Sequence, residues 1–282
     1  MSFLGERKEW VDEALVNWIG HLEESQGGLG LTSLKKSVEY SLTRGGKRFR
    51  PVLSLLVGEA FAVAPKRLLP WAVAVEMIHT YSLIHDDLPC MDNDTVRRGE
   101  PTNHVVFGES TALLAGDTLL TEAFGVVAFG YESEPQTAVH LIRLLTEAAG
   151  FRGMIGGQAV DMNAKTADLE LSELMRMHAM KTGALIRVAA EGAALVCGLP
   201  EPKRQLCREF GAHLGFAFQL QDDLLDSSET IEKGSYPDKL GLEKTKEKLL
   251  EVSAQARECL KRLELTEGPL ADLIQMNLDR TY

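Results

Sequence analysis

The chain is poor in cysteine and has no cysteine pair. Its four thiols, Cys90, Cys197, Cys207 and Cys259, are widely spaced and form no C-x-x-C unit, which argues against a zinc centre or a disulfide framework. Positive charge is in deficit: 30 Lys and Arg against 41 Asp and Glu leave a net charge of −11, the wrong sign for a nucleic-acid partner. Strict polar–apolar alternation is lacking, so no sheet is expected. Long apolar runs are lacking too. The longest stretches carry Glu59, or Arg187 and Glu191, and fall short of a membrane span. The opening residues include Glu6 and Glu9 and no long apolar core, so they do not read as a signal peptide and a cytoplasmic protein is expected. No repeat of fixed period and no Pro/Ser/Gly linker divides the chain.

What is present is helical periodicity on an ample apolar content of 45%. Trp10, Ala14, Trp18 and Leu22 mark one helix face, and Gly27, Gly28 and Gly30 end that segment. Pro51 and Pro70 stand where helices are expected to begin. Further helices are predicted at about 110–130, 135–150, 171–197, 203–226, 242–263 and 267–278. The runs Trp71 to Ile84 and Gly211 to Leu220 are apolar nearly all round, which places them centrally. Lys244 to Glu251 reads as a solvated outer face. The expectation is one all-α domain spanning 1–282.

Two acidic clusters stand out. Asp86, Asp87 and Asp92 fall within seven residues after an apolar helical run; Asp222, Asp223 and Asp226 follow another. Carboxylates crowded against apolar surface need a counter-charge. Their oxygens suit a hard cation, and Mg²⁺ usually takes one or two carboxylates plus substrate phosphates. Asp222 and Asp226 share a helix face that Gln219 joins, and Asp92 can fold back toward Asp86 and Asp87. Basic residues are local. Gly45 and Gly46 allow a tight turn with exposed amides, and Lys47 and Arg50 can grip one anion. The order is not that of a Walker loop. Arg97 and Arg98 follow the first acidic cluster, either as plain ion pairs or as ligands of the same phosphates. His79 lies two helical turns before Asp86. Lys181, mid-helix before Thr182 and Gly183, must point somewhere wet or anionic.

These motifs resemble one family, the trans-type polyprenyl diphosphate synthases. The markers are GGKRFRP (45–51), EMIHTYSLIHDDLPCMDND (76–94), RRG (97–99), GGQAVDM (156–162), KTG (181–183) and FQLQDDLLD (218–226). The resemblance implies an all-α single large helical bundle around a deep central cavity, commonly a homodimer. It implies Mg²⁺-dependent head-to-tail condensation of isopentenyl diphosphate with an allylic diphosphate, Mn²⁺ being a possible substitute. Asp86, Asp87, Asp92, Asp222 and Asp226 would hold the metal. Asp86, Asp87, Asp92, Asp222 and Lys181 would be the catalytic set. Arg97, Lys181, Thr182, Gln219 and Lys233 would bind the allylic diphosphate. Lys47, Arg50, His79 and Arg98 would bind isopentenyl diphosphate.

Within such a family, chain length depends on residues one turn before Asp86, here Tyr81 and Ser82. The bulky Tyr81 is similar to farnesyl diphosphate synthases, which extend dimethylallyl or geranyl diphosphate. A geranylgeranyl or mixed-length synthase is the alternative. The chain departs from the family pattern at Thr95 and after Asp226, where only Ser227 to Ser235 precedes Tyr236 and Pro237. That short segment predicts a raised KM for the allylic substrate and leaves a non-catalytic partner subunit as a further reading. Class I terpene cyclases lack the second diphosphate site that Lys47 and Arg50 imply. A phosphohydrolase built on His85 and Asp86 would need further metal-binding histidines.

Overall fold

A computed structural model describes residues 2–22, 31–164, 169–227, 230–231 and 233–280. The chain is all-α. Its elements are α1 (Ser2–His21), α2 (Leu31–Thr43), α3 (Phe49–Ala60), α4 (Pro65–Asp86), a hairpin of β1 (Val96–Arg97) and β2 (Glu100–Pro101), α5 (Asn103–Phe107), α6 (Glu109–Gly130), α7 (Pro135–Ala149), α8 (Met154–Ala164), α9 (Leu171–His178), a π-helical turn (Ala179–Gly183), α10 (Ala184–Val196), α11 (Glu201–Asp226), α12 (Tyr236–Leu240), α13 (Leu242–Arg262) and α14 (Pro269–Leu278). Two compact units emerge, Met1–Leu55 with Pro65–Ile142 and Leu56–Ala64 with Arg143–Tyr282.

The first unit is organised by α4 along α6. From Trp71 to Ile78 every residue of α4 is buried, and over the rest of the predicted run to Ile84 His79, Ser82 and Leu83 are only half-buried, so the all-round pattern holds fully for its first part. Close approach follows from two glycines of α6. A Cβ on Gly116 would lie 2.0 Å from the His85 ring, and one on Gly130 would lie 2.4 Å from Pro70. Ala112, Ala115, Leu119, Ala123 and Val127 of α6 are fully buried.

The second unit is built on α11 against α10 and α13. Gly211 and Gly215 lie where a Cβ would come within 2.9 Å of the Arg187 Cα and 3.2 Å of the Gly183 Cα. Leu174, Met177, Ala217, Leu220, Tyr236, Leu249 and Val252 form one of its core clusters. Lys244, Lys246 and Glu247 are exposed on α13, the expected solvated face.

Several expectations are corrected. In α1 the Trp10–Ala14–Trp18–Leu22 face is half-buried, and the adjoining stripe of Val11, Leu15 and Ile19 is buried. Gly27, Gly28 and Gly30 lie outside the described residues. Pro70 does not begin a helix; α4 starts at Pro65 and carries Pro70 inside as its sixth residue, where the missing N–H removes one ladder bond. A two-residue antiparallel hairpin replaces the expected absence of strands. Finally, α6 is long and apolar enough, by length and composition, to cross a membrane, although only a third of its apolar window is buried.

Candidate functional site

In the first unit the two basic motifs and the first acidic motif meet. Arg98 and Gly99 both have positive φ, 55° and 79°, the turn that closes the β1–β2 hairpin. This turn points the two arginines at different partners. Arg97 Nε donates to Asp87 Oδ1 at 2.7 Å, with a longer contact to Asp94 at 3.5 Å. Arg98 donates to the Gly45 carbonyl at 2.7 Å. Glycine suits position 46: its φ is 121°, and a Cβ would lie 2.6 Å from the Arg98 guanidinium and force it to shift. Segments some fifty residues apart in sequence are thereby tied together.

The basic loop is anchored by a residue that sequence reasoning passed over. Arg48 is buried, donating to Asp12 at 2.8 Å, to Glu76 at 2.7 Å and to the Leu42 carbonyl. Lys47 beside it is exposed and Arg50 is partly buried. His79 stands one turn beyond Glu76. Burial holds its imidazole well below the usual histidine range, and the charges of Arg50, Arg98, Arg48 and Arg97 push it the same way, so it is neutral near pH 7.

On the acidic side, the chain after α4 folds back as expected: the Asp92 amide donates to the Asp86 carbonyl at 2.9 Å. Asp86 is partly buried, Asp87 buried and Asp92 exposed. Burial pushes the Asp87 carboxyl up while Arg97 pulls it down. No three His, Cys, Asp or Glu side chains among the described residues form a ready-made metal cage. The donors are nevertheless carboxylate oxygens within one reversed turn, which fits a hard cation bound together with phosphate oxygens. His85 is excluded from such a role: its Nε2–H donates to the Leu113 carbonyl at 3.0 Å, and its ring fills the notch at Gly116. Tyr81 is 4% exposed and lies edge-on to His85, ring centroids 5.7 Å apart. Ser82 Oγ donates to the His79 carbonyl at 2.8 Å.

In the second unit, Lys181 lies in the π-helical turn, a distortion common at functional positions. It reaches the anionic partner expected of it, Asp161 Oδ2 at 2.6 Å. Thr182 shares the turn, partly buried. The second acidic cluster and Gln219 lie together on α11, as their spacing implies. Gln219 donates to Asp223 at 2.8 Å, and the Tyr236 amide donates to the other Asp223 oxygen at 2.8 Å. Asp222 pairs with Arg280, whose guanidinium stacks 4.5 Å from the Phe218 centroid. Asp226 is exposed, as is Lys233. Residues 228, 229 and 232 of the short segment lie outside the described residues. Asp161 had a sequence signal in its place within the GGQAVDM motif, whereas Arg280 had none.

Comparison with known proteins agrees across sequence and structure. A family model described as Polyprenyl synthetase matches residues 32–240. The farnesyl diphosphate synthase of Bacillus subtilis (strain 168) is 41% identical, covering 100% of this chain and 98% of its own. That of Geobacillus stearothermophilus is 43% identical with the same coverage. The Bacillus alignment runs over 297 positions against 282 residues here, so the relative has at least fifteen residues that this chain lacks. Among solved structures, an FPP/GFPP synthase from Zymomonas mobilis in its apo form superposes with a TM-score of 0.86 at 32% identity, covering 98% of each chain.

Proposed function

Because this chain belongs to the polyprenyl synthetase family, we propose that it is a prenyltransferase joining isopentenyl diphosphate head-to-tail to dimethylallyl or geranyl diphosphate and ending at farnesyl diphosphate. The observation that carries the reading is the meeting, in one unit, of the basic loop at 45–50, neutral His79 and the arginine pair beside Asp86 and Asp87. Such a place offers cations to a diphosphate next to carboxylates for its metal. The 282 residues are taken to act as one polyprenyl synthetase domain, since the boundaries of the two compact units fall within α3 and α7, and a cytoplasmic location is part of the same proposal.

The residue roles follow from chemistry. Asp86, Asp87, Asp92, Asp222 and Asp226 are assigned to Mg²⁺, which supplies positive charge to the leaving diphosphate. Arg97, Lys181, Thr182, Gln219 and Lys233 are assigned to the allylic diphosphate. Lys47, Arg50, His79 and Arg98 are assigned to isopentenyl diphosphate. Charge developing on the departing oxygens is stabilised by these cations, so the allylic C–O bond ionises. The homoallylic π electrons then form the new C–C bond, and the proton lost goes to the released pyrophosphate. No protein nucleophile takes part. His79, neutral, contributes a hydrogen bond and not a charge. Lys181 exchanges its Asp161 partner for a phosphate oxygen. Tyr81 and Ser82 set product length, the buried phenol blocking a longer tail.

The test is incubation of the protein with Mg²⁺, isopentenyl diphosphate and each of dimethylallyl, geranyl and farnesyl diphosphate, with products identified by mass spectrometry. Farnesyl diphosphate as end product, and longer chains from Tyr81→Ala, are expected. Longer chains from the unaltered protein would favour the geranylgeranyl or mixed-length reading. No elongation by folded protein would leave a non-catalytic partner subunit.

A further inference from the structure

We infer that Arg48 and Glu76 together form a positioning device for the isopentenyl diphosphate site: their buried ion pair fixes the backbone from which Lys47 and Arg50 reach the diphosphate. The inference rests on the assignment of Lys47, Arg50, His79 and Arg98 made above.

Three observations converge. The first is conformational. Gly45, Gly46 and Arg48 all have positive φ, 79°, 121° and 48°. Glycine adopts that region freely, but an arginine does not, and such a residue persists only where its surroundings over-determine it. The second observation is what over-determines it. The Arg48 side chain is 1% exposed and donates to three elements at once: Asp12 of α1, the Leu42 carbonyl near the end of α2, and Glu76 of α4. Its Nε, Nη1 and Nη2 each serve a different acceptor, whereas lysine would have to serve all three from a single nitrogen. The loop is thereby locked at its centre, with Lys47 immediately before and Arg50 two residues after.

The third observation concerns charge. Glu76 is 2% exposed and stands one turn before His79 on the same face of α4. Burial pushes its carboxyl up, and Arg48, Arg50 and Arg98 all pull it back down. It is therefore the buried counter-ion of the basic cluster. Three guanidiniums brought together without an anion repel one another and would spread. Glu76 holds Arg48 in a direct ion pair at 2.7 Å, and its charge also attracts Arg50 and Arg98 before substrate arrives. Neither Arg48 nor Glu76 needs to touch the diphosphate; both act through the residues that do. Breaking one partner of such a buried pair leaves an uncompensated charge, so the geometry it fixes is lost with it.

The experiment compares Arg48→Lys and Glu76→Gln with the unaltered protein. Isopentenyl diphosphate alone is titrated calorimetrically, and KM values for isopentenyl and geranyl diphosphate are measured separately. Arg48→Lys is expected to weaken isopentenyl diphosphate binding at least tenfold while the geranyl diphosphate KM moves less than about twofold. In an Arg50→Ala background, adding Arg48→Lys is expected to cost less than about threefold more, because the residue it positions is already gone. Glu76→Gln, which keeps the shape and an acceptor for Arg48, is expected to give a smaller loss with the same substrate selectivity, and carries the test if Arg48→Lys fails to fold. Equal rises in both KM values, or full multiplication of effects in the double variant, would show a merely structural role and overturn the inference. If the unaltered protein elongates chains but neither variant alters isopentenyl diphosphate binding, the inference fails alone. If the unaltered protein does not bind isopentenyl diphosphate, it falls together with the functional reading.

Discussion

His178 lies partly buried at the end of α9, edge-on to Tyr236 with ring centroids 5.1 Å apart, and its Nδ1 meets no hydrogen-bond partner among the described residues. Burial pushes its pKa down to about 4, Asp161 opposing and Lys181 assisting. The folded protein thus keeps a neutral imidazole, whereas the unfolded chain takes up a proton near pH 6.5. Between those values the unfolded state binds more protons, so stability falls as pH drops through 6.5 toward 4. His178→Gln, neutral throughout, is expected to shrink the loss of unfolding free energy between pH 7 and pH 4 by up to about 3 kcal/mol. Urea titrations at each pH measure this, and identical pH slopes in both proteins would refute it. The second acidic cluster shows how much of a residue's role its spacing reveals. Helical spacing put Gln219 beside Asp222, and the two do share a helix. Yet Gln219 bonds Asp223, because that carboxylate is buried and needs every donor within reach. Asp222 is served by Arg280, distant in sequence. Spacing gives a face; it does not reveal which long-range partner competes for a side chain.

The π-helical turn makes Lys181 sensitive to a neighbouring helix. Gly157 of α8 lies against its backbone, where a Cβ would come within 2.4 Å of the Lys181 nitrogen. Backbone cannot yield as a flexible side chain does. Gly157→Ala is expected to destabilise the protein by roughly 1–3 kcal/mol and to raise the KM for the allylic diphosphate by shifting Lys181. A melting curve and steady-state kinetics check it; an unchanged allylic KM would show that the turn does not position the lysine. The short segment after α11 is expected to bear on the same substrate. A relative carries at least fifteen residues that this chain lacks. Grafting a full-length family loop between Asp226 and Tyr236 is expected to lower the allylic KM, and no change on grafting would sink the idea. Helices were the most legible level of this fold. The predicted 203–226 and 242–263 became Glu201–Asp226 and Leu242–Arg262, because long apolar periodicity survives any tertiary context. The predicted 171–197 held in extent, but its π turn did not show, since a one-residue change in hydrogen-bond register leaves the apolar pattern almost intact. The hairpin at 96–101 escaped notice because its signal was a two-residue turn of Arg98 and Gly99, and arginine is not a residue that announces positive φ.

For the protein as a whole, the −11 net charge and the local basic cluster describe an acidic molecule that concentrates cations in the place proposed above for a diphosphate substrate. The charge does not explain the apolar surface of the first unit. On α6, Leu113 and Leu114 are 46% and 53% exposed, and on the adjoining α5 Val105 and Val106 are 51% and 46% exposed. The apolar window of α6 has a mean hydropathy of 1.5, yet Asp117 and Glu122 interrupt the helix and would be costly inside a bilayer. A face that is apolar along one side but carries scattered acids suits a protein partner better than lipid. The homodimer that the resemblance to the family implies is expected to cover this face, packed through α5 and α6 about a two-fold axis so that each leucine pair meets its own counterpart. Light scattering after gel filtration is expected to give twice the chain mass of 31.0 kDa. Leu114→Glu is expected to shift the species toward monomer, by placing like charges near one another at the axis, while leaving helix content unchanged. A monomeric unaltered protein that sediments with phospholipid vesicles would assign the face to a membrane and overturn the dimer. A dimer unmoved by Leu114→Glu would place the interface elsewhere on the surface.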